Sequence, residues 1–256
     1  MAERNLLLGQ SIFPRLNCAQ YRAVAPYRDT ITRMIESKSV GGFVVFDGDV
    51  DTVRLVLEEL QKLAGGTLLF AADCEDGVTM RFPGGTEFPS MMALGRSGDV
   101  AATYSVARSI AREMRALGIY WNFAPVADVN TNPDNPIINI RSFGERAEQV
   151  GDHAHAYVRG MQDGGIIACA KHFPGHGDTE LDSHRELPVI AGDRRRLESV
   201  ELAPFRATIR NGVKSVMVAH IAVPAIDPSG DPASLSAPVV SGLLRDEMGF
   251  DGAIVT

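Results

Sequence analysis

Cysteine, tryptophan, net positive charge and long apolar runs are all scarce in this 256-residue chain. Its three cysteines, Cys18, Cys74 and Cys169, are odd in number and form no C-x-x-C pair. That argues against a disulfide framework and favours a reducing, cytoplasmic setting in which they are packing residues. No stretch approaches the roughly 20 apolar residues that span a bilayer, and Leu6-Leu7-Leu8 is too short for the core of a signal peptide, so no membrane partner is expected. The formal net charge is -7, and no basic stripe interleaved with aromatics offsets it. A nucleic-acid partner is therefore disfavoured, because phosphate backbones are bound by clustered cations. Arg194-Arg195-Arg196 reads as the start of a solvated helix face. The remaining composition, 45% hydrophobic and 22% charged, is that of an ordinary globular enzyme. A chain of this length buries roughly three quarters of its unfolded surface and needs no covalent staples, so residues 1–256 are expected to form one large domain.

Short apolar runs rich in β-branched residues alternate with stretches of helical period, the pattern of repeated βα units. Seven strands are predicted at 6–13, 41–46, 67–73, 119–126, 165–172, 215–220 and 252–256. Helices are predicted at 20–37, 50–63, 100–116, 146–163, 194–210 and 237–248. Val53, Leu55, Val56 and Leu60 mark one apolar helix face. Asp73, Asp128, Lys171 with His172, and His220 each fall at or just past the end of a predicted strand. A (β/α)8 barrel of the TIM type gathers such positions on one face, where active sites lie. A doubly wound sheet is the alternative; it favours a glycine-rich phosphate loop after the first strand, and Gln10-Ser11-Ile12-Phe13-Pro14 is not one.

The densest chemistry lies between Lys171 and His184, in K-H-F-P-G-H-G-D-T-E-L-D-S-H. Half of the six histidines fall in these fourteen residues, with two aspartates, a glutamate and a lysine. A core has little structural reason to gather so many titratable groups, since each buried one needs a partner or a shifted pKa. His172, His176, Asp178, Asp182 and His184 are also candidate ligands for a divalent metal, although Pro174, Gly175 and Gly177 prevent the helix that would put His172 and His176 on one face. His153 and His155 lie on a predicted helix and are expected at the surface. Asp128 and His220 are expected to buttress the strand ends.

This fourteen-residue stretch resembles the long loop of bacterial β-N-acetylglucosaminidases of glycoside hydrolase family 3. The resemblance extends to Asp73-Cys74-Glu75 with Arg81-Phe82, Asn122-Phe123-Ala124-Pro125-Val126-Ala127-Asp128, Arg141-Ser142-Phe143-Gly144 and Met217-Val218-Ala219-His220. It implies a retaining hydrolase of terminal β-linked N-acetylglucosamine, associated in this group with muropeptide recycling. By resemblance His184 is the acid/base and Asp182 its dyad partner. A histidine near neutral pKa suits that work, and a carboxylate neighbour can raise its pKa. The resemblance further implies that Asp73, Arg81, Arg141, Lys171 and His172 bind the sugar, that His176 and Asp178 organise the loop, and that no metal or cofactor takes part. In relatives the nucleophilic aspartate directly follows a strand like Gly252–Thr256, so it is expected just after Thr256, together with the closing βα portion of the barrel. Asp76-Gly77-Val78-Thr79 stands where relatives commonly carry Gly-Gly-Arg, which alters one edge of the pocket. Transfer to phosphate instead of water, a metal-dependent hydrolase and a non-catalytic sugar-binding barrel are the alternatives.

Overall fold

A computed structural model describes residues 8–66, 68–178 and 187–256. These fall into two compact units. The first holds the chain up to Phe88 with Ile110–Asn122 and Gly164–Ile166; the second holds Pro89–Ser109, Phe123–Asp163 and everything from Ile167 onward.

In the first unit, strands β1 (Arg15–Asn17), β2 (Gly42–Phe46), β3 (Leu69–Ala72) and β4 (Trp121–Asn122) pair in parallel in chain order. Helices α1 (Cys18–Ala23), α2 (Ala25–Glu36) and α3 (Val50–Ala64) join them. Asp49 caps α3 by accepting from the Thr52 amide at 2.8 Å, and Gly65 ends it in the left-handed region. The buried face of α3 is Val53, Val56, Leu57 and Leu60, each such side chain worth roughly 1.5–3 kcal/mol when fully buried. Leu55, expected on that face, is exposed, because the 3.6-residue period turns it away from Val53 and Val56.

In the second unit, Ala124–Ala127 runs beside β5 (Ile167–Phe173), which pairs with β6 (Ser215–Val218) and then β7 (Ala253–Val255), all parallel. Helices α4 (Met91–Ser97), α5 (Val100–Leu117, which runs on into the first unit), α6 (Ala147–Asp163), α7 (Arg194–Ser199), α8 (Leu202–Arg210) and a wide ten-residue turn of π-helix at Pro238–Glu247 complete it. Among the described residues no helix is long and apolar enough to cross a membrane. All three cysteines are buried thiols, and burial pushes Cys18 up to about 12.

Several sequence expectations need correction. Residues 6 and 7 of the strand predicted at 6–13 lie outside the described residues; the rest opens as a helical turn at residues 8 and 9, and the ladder begins only at Arg15, after Pro14. The predicted helices at 20–37 and 194–210 are each split, at Val24 and at Val200. Both breaks precede a proline, Pro26 and Pro204, whose ring would clash with the carbonyl four residues earlier in a continuous helix. Helix α4 was not anticipated; Gly95 lowers its propensity but is needed, since a Cβ there would lie 1.7 Å from the Phe143 carbonyl oxygen. His153 is on its predicted helix but buried: it shares the inner face with Val150, Ala154 and Tyr157, bonds Thr103 Oγ1 at 2.8 Å and stacks on Phe143. Within the arginine run Arg195 is exposed and the other two are half-buried and paired, Arg194 with Glu198 and Glu247 and Arg196 with Asp178 and Glu201.

Candidate active site

In the first unit, Asp73 directly follows β3, and Arg81 follows a short turn, Val78–Met80. Arg81 Nη2 lies 3.2 Å from Asp73 Oδ2, and its guanidinium covers the ring of Phe46, the last residue of β2, at 5.3 Å. Asn122 fixes the turn after Asp73: its side-chain oxygen accepts from the Cys74 amide and its nitrogen donates to the Cys74 carbonyl, both at 2.9 Å. In the divergent stretch Asp76–Thr79, Gly77 takes a φ of 128° and a Cβ there would meet the Thr86 carbonyl at 2.5 Å. Only glycine fits that backbone.

In the second unit, β5 delivers Lys171 and His172 at its C-terminal end. Lys171 is 1% exposed, its amide donating to the Pro125 carbonyl and its carbonyl accepting from the Ala127 amide. The organiser of this region is Asp128, which is wholly buried. Its carboxylate receives the His172 ring Nδ1 at 2.7 Å, the His172 amide at 3.2 Å and the His176 amide at 2.7 Å. Three N–H groups thus converge on one charge. On the other side of the ring, Arg141 Nη2 stands 3.5 Å from His172 Nε2. A guanidinium can only donate, so Nε2 is the acceptor and Nδ1 carries the proton given to Asp128.

The titration behaviour agrees with a neutral imidazole beside an ionised carboxylate. Burial pushes His172 below its ordinary value, with Lys171 and Arg141 acting in the same sense and Asp128 opposing them. Burial also works to raise Asp128, but His172 and His176 outweigh it and hold the carboxyl below its ordinary value. The outcome is a buried lysine, a guanidinium and an imidazole of fixed tautomer at the end of one strand. Donors and an acceptor in that mix suit hydroxyl groups, which both give and take hydrogen bonds.

The segment from Asp128 to Asn135 then cradles the stretch that follows β5. Asn135 donates to the His176 carbonyl at 2.8 Å, and the Asn132 amide donates to the Gly177 carbonyl at 3.3 Å. Gly177 is pressed so close that a Cβ would lie 1.8 Å from the Val129 carbonyl oxygen. Asp178 accepts from the Thr131 hydroxyl and pairs with Arg196, both at 2.9 Å. His176 is buried, its ring edge-on to His172 at 6.0 Å. Ser142 ties the Arg141 turn to the same region through the Asp128 carbonyl at 2.7 Å.

The structure therefore brings Arg141, Lys171, His172, His176 and Asp178 together within the second unit, and pairs Asp73 with Arg81 in the first. Asp182 and His184 lie outside the described residues. His220 is exposed and bonded to Ser234 Oγ at 2.7 Å. Among the described residues no three His, Cys, Asp or Glu side chains are placed to hold one metal ion. Thr131, Asn135 and Arg196 were not anticipated. Six polar residues in the eight from Asp128 to Asn135, after an apolar run, were the available signal for the cradle.

Comparison with known proteins bears on the chemistry. Residues 15–256 match the Glycosyl hydrolase family 3 N terminal domain. The chain is 34% identical over 273 residues to beta-hexosaminidase A of Pseudoalteromonas piscicida, covering 97% of this chain and 45% of that protein. It is 37% identical over 227 residues to a beta-hexosaminidase of Neisseria meningitidis serogroup C, covering 84% of this chain and 62% of that one. Among solved structures, a glycoside hydrolase family 3 beta-N-acetylglucosaminidase from Paenibacillus sp. str. FPU-7 superposes with a TM-score of 0.91 at 42% identity, covering 98% of this chain and 48% of that one. The fold class is thus the parallel (β/α)8-type barrel. The chain spans about half to two thirds of the length of these proteins.

Proposed function

The chain belongs to the glycosyl hydrolase family 3 N-terminal domain family, and on that premise we propose that its protein is a retaining β-N-acetylglucosaminidase. The observation carrying this reading is the 42% identity, across 98% of the chain, to a beta-N-acetylglucosaminidase. The Asp128-ordered end of β5 supports it physically, because it feeds directly into the stretch holding Asp182 and His184. In this reading His184 protonates the leaving oxygen while a carboxylate, placed by the family resemblance just after Thr256, attacks the anomeric carbon. A covalent glycosyl-enzyme forms, and His184 then takes a proton from the water that cleaves it. Asp182 holds the imidazole tautomer. Arg141, Lys171 and His172 hydrogen-bond sugar hydroxyls, and in the first unit Asp73, oriented by Arg81, accepts from hydroxyls. His176 and Asp178 organise the loop stem. The substrate is a carbohydrate, with cytoplasmic muropeptides as its natural source.

The test is hydrolysis of an aryl β-N-acetylglucosaminide by the longest natural form of the protein, with a chelator present. Turnover with the β-anomer of N-acetylglucosamine formed first is expected. An α-anomer first, or activity lost to chelator and restored by zinc, would refute the reading. Added phosphate should leave free sugar as the product; a sugar 1-phosphate would assign the protein to phosphorolysis.

A further inference from the structure

Within the second unit a cleft of about 550 Å³ lies between α4 and the first turns of α5 and α6. None of the residues brought together at the end of β5 lines it. Its floor is held by Gln149, whose side chain donates to the Gly95 carbonyl at 2.8 Å and the Phe143 carbonyl at 3.2 Å. The Gln149 oxygen accepts from the Arg146 guanidinium, so both groups of that amide are used. His153, which also lines the cleft, is held differently. It is 2% exposed, with its ring face on Phe143 and its Nδ1 on Thr103, yet among the described residues Nε2 has no hydrogen-bond partner. A buried polar atom without a partner needs a reason, and a place on the edge of a cleft supplies one.

The rim decides which chemistry can enter. Arg96 and Arg146 stand there with Glu145, Glu148 and Asp152, all five exposed, and burial keeps the imidazole neutral. Three carboxylates repel an anion and two guanidiniums repel a cation. Among the described residues no three His, Cys, Asp or Glu side chains are placed to hold a metal ion. A neutral ligand bearing hydroxyls suits the whole set, since a hydroxyl accepts from a guanidinium and donates to a carboxylate. It suits His153 as well, because the Thr103 hydroxyl leaves the tautomer open and Nε2 can give or take a hydrogen bond. Met92 and the 39% exposed Val100 add apolar wall for the C–H faces of a ring.

We propose that this cleft is a second carbohydrate-binding site, in which His153 Nε2 bonds one sugar hydroxyl and the charged groups of the rim bond others. Its volume falls in the range of roughly 300–1,000 Å³ usual for small-molecule sites, enough for a mono- or disaccharide.

The experiment titrates the longest natural form of the protein, labelled with nitrogen-15 in its histidine rings, with N-acetylglucosamine, and follows the ring nitrogens by NMR. The His153 signal is identified by its loss in His153→Phe and the His172 signal by its loss in His172→Gln. The His153 signal should move saturably, with half-saturation at about 1 mM, as for a ligand held by a few hydrogen bonds. Val100→Trp fills the cleft from its exposed wall and should weaken that response by at least about 10-fold while the His172 response persists. Asp152→Ala, an exposed change that leaves the packing alone, should weaken it by about 3- to 10-fold. No movement of the His153 signal up to about 100 mM sugar, or a movement that Val100→Trp leaves intact, would overturn the proposal. Sodium sulfate moving the His153 signal at a lower concentration than the sugar does would also overturn it, marking an anion site instead. The two sites fail separately: a still His172 signal beside a moving His153 signal would sink the sugar contacts at the end of β5 and leave the cleft as a sugar site.

Discussion

Two histidines in the second unit, His153 buried and His172 half-buried, are both pushed below their ordinary value by desolvation, yet they are held in opposite ways. His153, on α6, bonds a neutral hydroxyl, Thr103 Oγ1, and stacks on Phe143 at 5.5 Å between centroids. His172, at the end of β5, bonds the buried carboxylate of Asp128 and turns its other nitrogen toward Arg141. A hydroxyl satisfies an imidazole at small cost and leaves its tautomer open. A carboxylate must be taken out of water, which is costly unless several donors converge on it, and it then dictates which ring nitrogen carries the proton. The first arrangement is that of a packed core; the second prepares one ring face for a partner.

Asp128→Ala should break this contrast most severely. It leaves the His172 ring, the His172 amide and the His176 amide without their acceptor, and each donor left unsatisfied in a buried place costs about 1–3 kcal/mol, read by chemical denaturation. Turnover should vanish with it. His153→Phe should cost only about 1 kcal/mol, because the ring shape is kept and Thr103 can turn its hydroxyl to a carbonyl of its own helix. A larger loss for His153→Phe than for Asp128→Ala would show that the two sites had been assigned the wrong way round.

Acidity should sharpen the comparison further. Both histidines have folded-state pKa values below their ordinary 6.5, so the unfolded chain takes up protons first. Their stabilising contribution is complete above about pH 6.5 and is lost as the pH falls below it. The unfolding midpoint should therefore drop between pH 7 and pH 5, and His153→Phe should flatten that slope without abolishing it. An unchanged slope would mean that His153 is not held neutral. At the small end, Arg54→Ala removes an exposed pair with Glu58 at 3.2 Å one turn along α3, and about 0.3–0.5 kcal/mol should be lost. A cost approaching that of Asp128→Ala would undo the claim that burial, and not charge, makes the difference.

Much of this was legible in the order of residues. The alternation of apolar runs and helical periods placed six of the seven strands, and the fourteen residues from Lys171 to His184 marked a candidate site, since local patterns of period two and 3.6 and dense titratable groups are properties of neighbouring residues. The splits at Val24 and Val200 were legible too, had Pro26 and Pro204 been weighed above the helical period. What could not be read was which polar residue satisfies which. Asp128 accepts from groups 44 and 48 residues away, and Arg196 grips a carboxylate set 18 residues before it. The same holds for His153, whose burial depended on Thr103 lying across from it, 50 residues earlier. Local sequence thus determined the βα order, the family and the chemically dense loop. Only the tertiary structure decided that Asp128 is the hub, because a buried charge is stabilised by donors that folding alone brings to it.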